Sequence, residues 1–164
     1  MAIVVEDGTV VAGANSYITR ASAIAYAAAR GVTLANTTAT DAQVVKAFDY
    51  LESLRSQFKG ELVEYDQPAA WPRAGATIEG YDWSSDEIPR QVIAAQCALV
   101  VEINAGEDPF NPTAVVGPVI EKTVPGAVTV KYASATSSKV SKSSSARTII
   151  NLLLKRSGLL AVRA

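Results

Sequence analysis

The sequence predicts a mainly α-helical protein, a small bundle of about three core helices with a β-hairpin insertion and an extended C-terminal tail that ends in a short helix. Three segments carry apolar residues at helical spacing, and each is followed by a glycine. The alternation typical of a half-buried strand is clearest in one hairpin-like stretch. A serine-rich run then separates that stretch from a short apolar segment near the C-terminus.

The first predicted helix follows an extended N-terminal segment. It begins near Thr19 or Arg20 and ends at Arg30, with Gly31 as its stop signal. The segment is rich in alanine, so it allows close approach of another helix, within the fold or between subunits. The face expected to carry the shared contacts comprises Ile24, Ala25 and Ala28.

Two longer helices are expected to follow. Residues 40–43, Thr-Asp-Ala-Gln, match a capping box, and the second helix runs from there to about Phe58, before Gly60. The third begins at residues 86–89, Asp-Glu-Ile-Pro, because acids and a proline suit a first turn, and it ends before Gly106. Its buried side is expected to comprise Val92, Ile93, Gln96, Cys97, Val100 and Ile103.

The segment between these two helices, residues 60–85, is expected to be irregular because prolines and glycines recur in it. Trp71 precedes Pro72, which favours an extended backbone, and we interpret it as an anchor for the loop. Acidic side chains cluster at both ends of the segment, and we interpret them as capping and solvated groups rather than as a catalytic pair.

The chain divides into three predicted parts. Residues 1–117 form the helical domain with its extended N-terminal segment, and residues 118–133 form the β-hairpin around a Pro-Gly turn. Residues 134–164 form a flexible serine-rich linker followed by a basic, apolar helix from about Ala146 to Arg156.

Charge is distributed unequally between the two ends of the chain. Residues 1–119 contain 15 acidic and 7 basic side chains, whereas residues 120–164 contain one acidic and eight basic side chains. Such asymmetry indicates a partner for one part, which could be nucleic acid, an acidic protein or the acidic part of a neighbouring copy. For the C-terminal helix we favour docking on a protein partner, with nucleic-acid contact and packing on its own domain as the alternatives.

Several classes of function are not expected from the composition. Histidine is absent, which removes the commonest general base and zinc ligand, and the single cysteine excludes an internal disulfide. No glycine pattern matches a phosphate-binding loop, and no apolar run approaches the roughly 18 residues of a membrane span. We therefore expect no enzyme, no catalytic, metal or cofactor site and no membrane partner, with Cys97 as a small buried hydrophobic residue.

Short motifs occur in a characteristic order along residues 3 to about 132. They include Val-Glu-Asp-Gly-Thr at 5–9, Gly-Ala-Asn-Ser-Tyr at 13–17, Ala-Phe-Asp-Tyr-Leu at 47–51 and Ala-Trp-Pro-Arg at 70–73. Asp-Glu-Ile-Pro, Gly-Pro and Val-Lys-Tyr follow them. In this order the chain resembles a family of tailed-bacteriophage proteins, the head–tail connectors or adaptors. Its members are often labelled DnaT-like single-stranded-DNA-binding proteins.

The resemblance implies a structural virion protein that joins the capsid portal to the tail at the head–tail interface. Such a protein would form a ring, expected to be dodecameric, between the portal ring and the tail or neck proteins. Genomic DNA would pass through it during ejection without sequence-specific binding, and assembly would occur in the host cytoplasm. The residues expected to dock on the portal are Lys139, Lys142, Arg147, Ile149, Ile150, Leu153, Leu154, Lys155, Arg156, Leu159 and Leu160.

The alternative hypothesis is a single-stranded-DNA-binding protein of phage replication. Its mark would be tight binding that weakens steeply with salt. Aromatic residues that stack on bases are scarce near the tail, since only Tyr132 follows Phe110. The residues expected to contact phosphates are Lys139, Lys142, Arg147, Lys155 and Arg156.

Overall fold

Four α-helices form the framework of the structure over residues 2–111 and 144–155, which are the residues described in this computed structural model. They are α1 (Arg20–Ala28), α2 (Thr38–Ser53), α3 (Arg90–Asn104) and α4 (Ser145–Leu153). Helix α3 lies at the centre, because α1, α2 and α4 all pack against it. The mainly helical fold class predicted from the sequence is confirmed.

Helix α1 has the predicted start and stop signals but a different packed face. The Thr19 side chain caps its N-terminus by accepting a hydrogen bond from the backbone of Ser22. Gly31 follows its end in a left-handed conformation, with φ of +72°. The alanines buried in the core are Ala23 and Ala27, whereas Ala25 and Ala28 of the predicted face are exposed and Ile24 is partly buried.

The capping box predicted for the second helix is wrong. Helix α2 begins three residues after Ala35, at Thr38, and Thr40 lies inside its first turn with its hydroxyl donating to the Ala35 carbonyl. Gln43 is turned away from the cap, because its side-chain amide donates to Asn104 Oδ1 of α3 at 3.4 Å. The helix also ends earlier than expected, at Ser53, and a single 3-10 turn spans Arg55–Gln57.

Helix α3 is buried over more of its circumference than the sequence pattern predicted. Val92, Gln96, Cys97 and Val100 are buried as expected, but Ile93 is exposed. Additional positions are buried because three helices pack against α3. Burial also raises the pKa of the Cys97 thiol to about 11, as expected for a cysteine that acts as a small hydrophobic residue.

The segment predicted to be irregular contains two short antiparallel hairpins. Strand β1 (Glu61–Leu62) pairs with β2 (Arg73–Ala74), and β3 (Thr77–Ile78) pairs with β4 (Tyr81–Asp82). Two-residue strands are too short to produce a visible alternation in the sequence. The hairpin predicted over residues 118–133 lies outside the described residues.

Trp71 anchors this segment as predicted. Its side chain is fully buried and packs against the Phe58 ring, with the two ring centroids 5.9 Å apart. Gly60, before β1, has a φ of +73°, and a Cβ there would lie 2.6 Å from the Ala74 carbonyl oxygen. A residue with a side chain would therefore separate β1 from β2.

Helix α4 packs on its own domain, which is one of the alternatives considered for this segment. Its N-terminus is capped by Ser144, whose hydroxyl accepts from the backbone of Arg147 at 3.0 Å. Ala146, Ile150 and Leu153 are buried, and the helix lies against α3. The division of the chain at residues 117 and 133 stays a prediction, because residues 112–143 lie outside the description.

Candidate nucleic-acid interface

The end of α4 is joined to the loop after α2 by a short antiparallel pairing. Phe58 and Leu154 form the central bridge. The Lys59 backbone donates to the Leu153 carbonyl at 3.0 Å, and the Lys155 backbone donates to the Gln57 carbonyl at 2.8 Å. Since neighbouring residues of an extended chain alternate in direction, burial of Phe58 leaves Lys59 and Lys155 on the opposite, outer face.

The two lysines lie in a groove made of two adjoining cavities, which we call the basic groove. One cavity has a volume of about 580 Å³ and the other of about 760 Å³, and they share Gly60 and Lys155. The charged side chains that line the basic groove are Arg55, Lys59, Arg73, Lys155, Glu61 and Glu79.

The charge of the basic groove is opposite to that of the surrounding protein. Four basic side chains and two acidic ones line it, whereas residues 1–119 contain 15 acids and 7 bases. The ion pairs among residues 2–111 and 144–155 are Arg20–Asp41 and Lys46–Asp108, and neither includes a base of the groove. The groove therefore has a local excess of positive charge, although Glu52 and Glu61 attract Arg73 from beyond ion-pair distance. This excess favours an anionic ligand.

Two of the four bases are fixed in place by backbone carbonyl groups. Arg73 is buried, and it donates from Nε to the Lys59 carbonyl at 2.8 Å and from Nη2 to the Gly60 carbonyl at 2.9 Å. Arg55 donates from Nη2 to the carbonyls of Gln67 and Ala69. Burial, and then repulsion from Arg55, lower the pKa of Arg73. A guanidinium group nevertheless stays charged over the ordinary pH range, so Arg55 and Arg73 are fixed positive charges in the lining of the groove.

The other two bases keep donors that a ligand can use. Lys59 Nζ donates to the Leu152 carbonyl at 2.9 Å, which uses one of its three donor hydrogens. Lys155 is exposed, and its Nζ has no hydrogen-bond or ion-pair partner in the described part of the chain. These two ammonium groups are the cations of the site with hydrogen-bond donors left for a ligand.

One exposed tyrosine lines the groove and a second lies at its margin. Tyr65 lines the larger cavity and is 100% exposed. Tyr81 is 78% exposed and directly follows Gly80, which lines the smaller cavity. A tyrosine ring on a surface offers a flat apolar face for stacking together with a polar hydroxyl. Cations beside exposed aromatic rings are the combination that proteins use to bind single-stranded nucleic acid.

The residues predicted to dock on a portal are not presented together. Ile150 and Leu153 are buried, and Ile149 and Leu154 are partly buried. Arg147 and Lys155 are exposed at opposite ends of α4. The predicted docking residues outside the described part of the chain are Lys139, Lys142, Arg156, Leu159 and Leu160.

The sequence reasoning missed most of the basic groove. The sequence-based prediction placed the binding residues in the basic tail. Most of the groove instead comes from the acidic part of the chain, which contains Arg55, Lys59, Tyr65 and Arg73. A usable signal was present, because three of the seven bases in residues 1–119 fall within residues 55–73. Local sequence gives no signal that this segment contacts the C-terminal part of the chain.

The comparison with protein families identifies the family of this chain. Residues 1–164, the whole length, match a family described as "Putative DnaT-like ssDNA binding protein". The chain belongs to this DnaT-like family. No curated protein and no solved structure matches it.

Membership of the DnaT-like family corrects the connector hypothesis. The family description names single-stranded-DNA binding, so it overturns the expected connector role in head-to-tail joining and DNA ejection. The family description also overturns the expected partners, which were the portal ring and the tail or neck proteins. It overturns the dodecameric ring and the passive passage of DNA as well. The structure gives a physical reason, since Ile150 and Leu153 of the expected docking helix are already buried. The virion location and the absence of enzymatic activity stay predictions.

Proposed function

We propose that this DnaT-like protein binds single-stranded DNA in the basic groove. The observation that carries the proposal is a groove with four basic side chains, none of them in an ion pair with a described carboxylate, beside the fully exposed Tyr65. The description of the family supports the same ligand. The alternative considered from the sequence is thereby preferred, with a different set of contact residues.

Each group in the groove has a distinct role in this proposal. Lys59 and Lys155 bind phosphate oxygens, because their ammonium groups are accessible and adjacent on paired segments. Arg55 and Arg73 supply fixed positive charge next to the two lysines. They stay hydrogen-bonded to backbone carbonyl groups when DNA binds. Tyr65 stacks on a base, which requires an unpaired base with a free face.

The chemistry predicts how selective the protein is. Phosphate contacts and ring stacking do not read base edges, so little sequence preference is expected. A duplex offers phosphates but no free base face, so it should bind more weakly than a single strand. With two to four phosphate contacts, the slope of log affinity against log salt should be about −1.4 to −2.8 for single-stranded DNA.

A titration of the full-length protein tests the proposal. Fluorescence anisotropy of a labelled oligothymidylate, and of a duplex of the same length, would be measured over about 50–200 mM salt. The expected result is saturable binding that favours the single strand and weakens with salt at the slope given above. Absence of binding to the single strand, or tighter binding to the duplex, would overturn the proposal.

The contribution of the basic tail to DNA binding, beyond Lys155, stays a prediction. Lys155 is a tail residue that the structure places in the groove. Phosphate contacts by Lys139, Lys142 and Arg156 concern residues outside the described part of the chain. A replication setting also stays a prediction.

A further inference from the structure

A second cluster of aromatic and basic side chains lies at the N-terminal end of α4, and we call it the Phe110 cluster. The Phe110 ring is 53% exposed and meets the Tyr50 ring edge to face, with centroids 5.5 Å apart. Arg147 is exposed, and its Nη1 lies 3.4 Å from the Tyr50 hydroxyl oxygen, to which it donates. The cluster thus combines an exposed ring held by an aromatic neighbour with an exposed cation.

Two acidic groups close to the Phe110 cluster have partners among the described residues. Asp108 forms an ion pair with Lys46 at 3.2 Å, which helps to lower the pKa of its carboxyl group. Glu102 accepts a hydrogen bond from the Ala146 backbone at 3.2 Å, in the first turn of α4, where a negative charge is favoured. Arg147 has no ion-pair partner among residues 2–111 and 144–155.

The exposed face of α4 connects the Phe110 cluster to the basic groove. Arg147 and Asn151 are four residues apart and both exposed, so they lie one above the other on the same face of the helix. Asn151 also lines the same cavity as Lys59 and Lys155. Arg147, Asn151 and Lys155 therefore offer hydrogen-bond donors at four-residue intervals along α4 and just beyond its end. Phe110 lies near the first of them, and Tyr65 lines a cavity with the last.

We infer that the Phe110 cluster is a second contact site for the same DNA strand, which runs along α4 from the basic groove. Phe110 stacks on a base, Arg147 binds a phosphate, and Asn151 donates to the strand between the two sites. This inference rests on the proposed function. It adds a direction for the strand and a minimum length, since α4 has nine residues and a helix of that length spans roughly 13 Å.

Binding to oligonucleotides of increasing length tests the inference. Short oligothymidylates fill only the basic groove, so Phe110→Ala and Arg147→Ala should bind them as the wild type does. For longer oligothymidylates, Phe110→Ala should lose at least about fivefold in affinity, because one stacked base is worth at least about 1 kcal/mol. Lys155→Ala should weaken binding at every length. Ile93→Ala, which removes an exposed apolar side chain on α3, is the matched control.

The outcomes separate this inference from the function on which it rests. If Lys155→Ala weakens binding while Phe110→Ala and Arg147→Ala match the wild type at every length, the groove is the whole site and the inference is wrong. If the wild type binds no single-stranded oligonucleotide, the proposed function itself is wrong. Circular dichroism of each variant would verify that the helical fold is retained. Because the Phe110 ring is half exposed, its removal should leave that fold intact.

Discussion

The backbone N–H of Lys155 donates to the carbonyl oxygen of Gln57 at 2.8 Å, so the described end of the chain is tied to the loop after α2. This bond and the Phe58–Leu154 bridge bring Lys155 to the edge of a groove whose other bases lie 82 to 100 residues earlier in the chain. The proposed DNA site is therefore complete only when α4 is packed on α3. Binding and the stability of this helix are coupled.

Replacement of Lys155 should weaken DNA binding through charge alone. The side chain is exposed, and its Nζ has no partner among the described residues, so Lys155→Ala should leave the free energy of unfolding nearly unchanged. Loss of one phosphate contact should make the salt slope about 0.7 less steep. Anisotropy titrations at several salt concentrations would measure this slope. Arg30→Ala is the control, because Arg30 is an exposed base just after α1 that contacts Tyr26 of that helix. An equal effect there would contradict the prediction.

Tyr65 should contribute by stacking. Tyr65→Ala should weaken oligothymidylate binding by about 1–3 kcal/mol, the range for loss of one stacked base. Tyr65→Phe should keep most of the affinity, because the ring face is retained. Neither change should alter stability, since the side chain is completely exposed. Equal affinities of the wild type and Tyr65→Ala would remove Tyr65 from the site.

Packing of α4 should control both stability and binding. Leu153 is fully buried, whereas Leu152, its neighbour, is exposed. Leu153→Ala should lower the free energy of unfolding by about 2–5 kcal/mol, and it should also weaken DNA binding by loosening Lys155. Leu152→Ala should change stability by no more than about 0.5 kcal/mol. Urea denaturation would measure both values, and similar losses in the two variants would contradict the packing described here.

Glu52 should make stability depend on pH. Its Oε1 accepts hydrogen bonds from the Tyr17 hydroxyl at 2.7 Å and from the Ala70 backbone at 2.8 Å, while burial raises the pKa of the carboxyl group above 4.5. The native state therefore keeps this proton at pH values where the unfolded chain releases it. The contribution of this group to stability is complete below about pH 4.5 and is lost as pH rises through the raised value.

The variant Glu52→Gln isolates this contribution, because an amide oxygen can accept the same two hydrogen bonds without titrating. Urea denaturation of both proteins over a pH series would give the difference between their free energies of unfolding. The wild type should lose stability relative to Glu52→Gln as pH rises above about 4.5. A difference that does not change with pH would show that Glu52 has an ordinary pKa.

The helices could be predicted because they depend on local pattern. Gly31 follows α1, and helical spacing identified the core positions Val92, Gln96 and Val100. The start of the third helix was predicted too early, at residues 86–89, because α3 begins at Arg90 and has no acidic residue in its first turn. The capping box at residues 40–43 failed because a local match does not reveal competition from tertiary contacts. There the side chain of Gln43 binds Asn104 of α3 instead.

The candidate site could not be predicted in the same way, because it is assembled from distant segments. The tail alone contains few aromatic residues, which counted against nucleic-acid binding. The fold places Tyr65 near Lys155 and Phe110 near Arg147, so both tail cations among the described residues lie close to an aromatic ring from the acidic part of the chain. Pairings between residues that far apart in sequence are set by packing of α4 on α3 rather than by local composition.

Photocrosslinking of the full-length protein to a single-stranded oligonucleotide tests the central claim most directly. Ultraviolet irradiation of the complex, followed by mass spectrometry of the crosslinked peptides, would locate the bases on the protein. The account predicts a principal adduct on Tyr65 that is lost in Tyr65→Ala and reduced in Lys155→Ala. Absence of any adduct, or adducts confined to peptides that line neither the basic groove nor the Phe110 cluster, would contradict it.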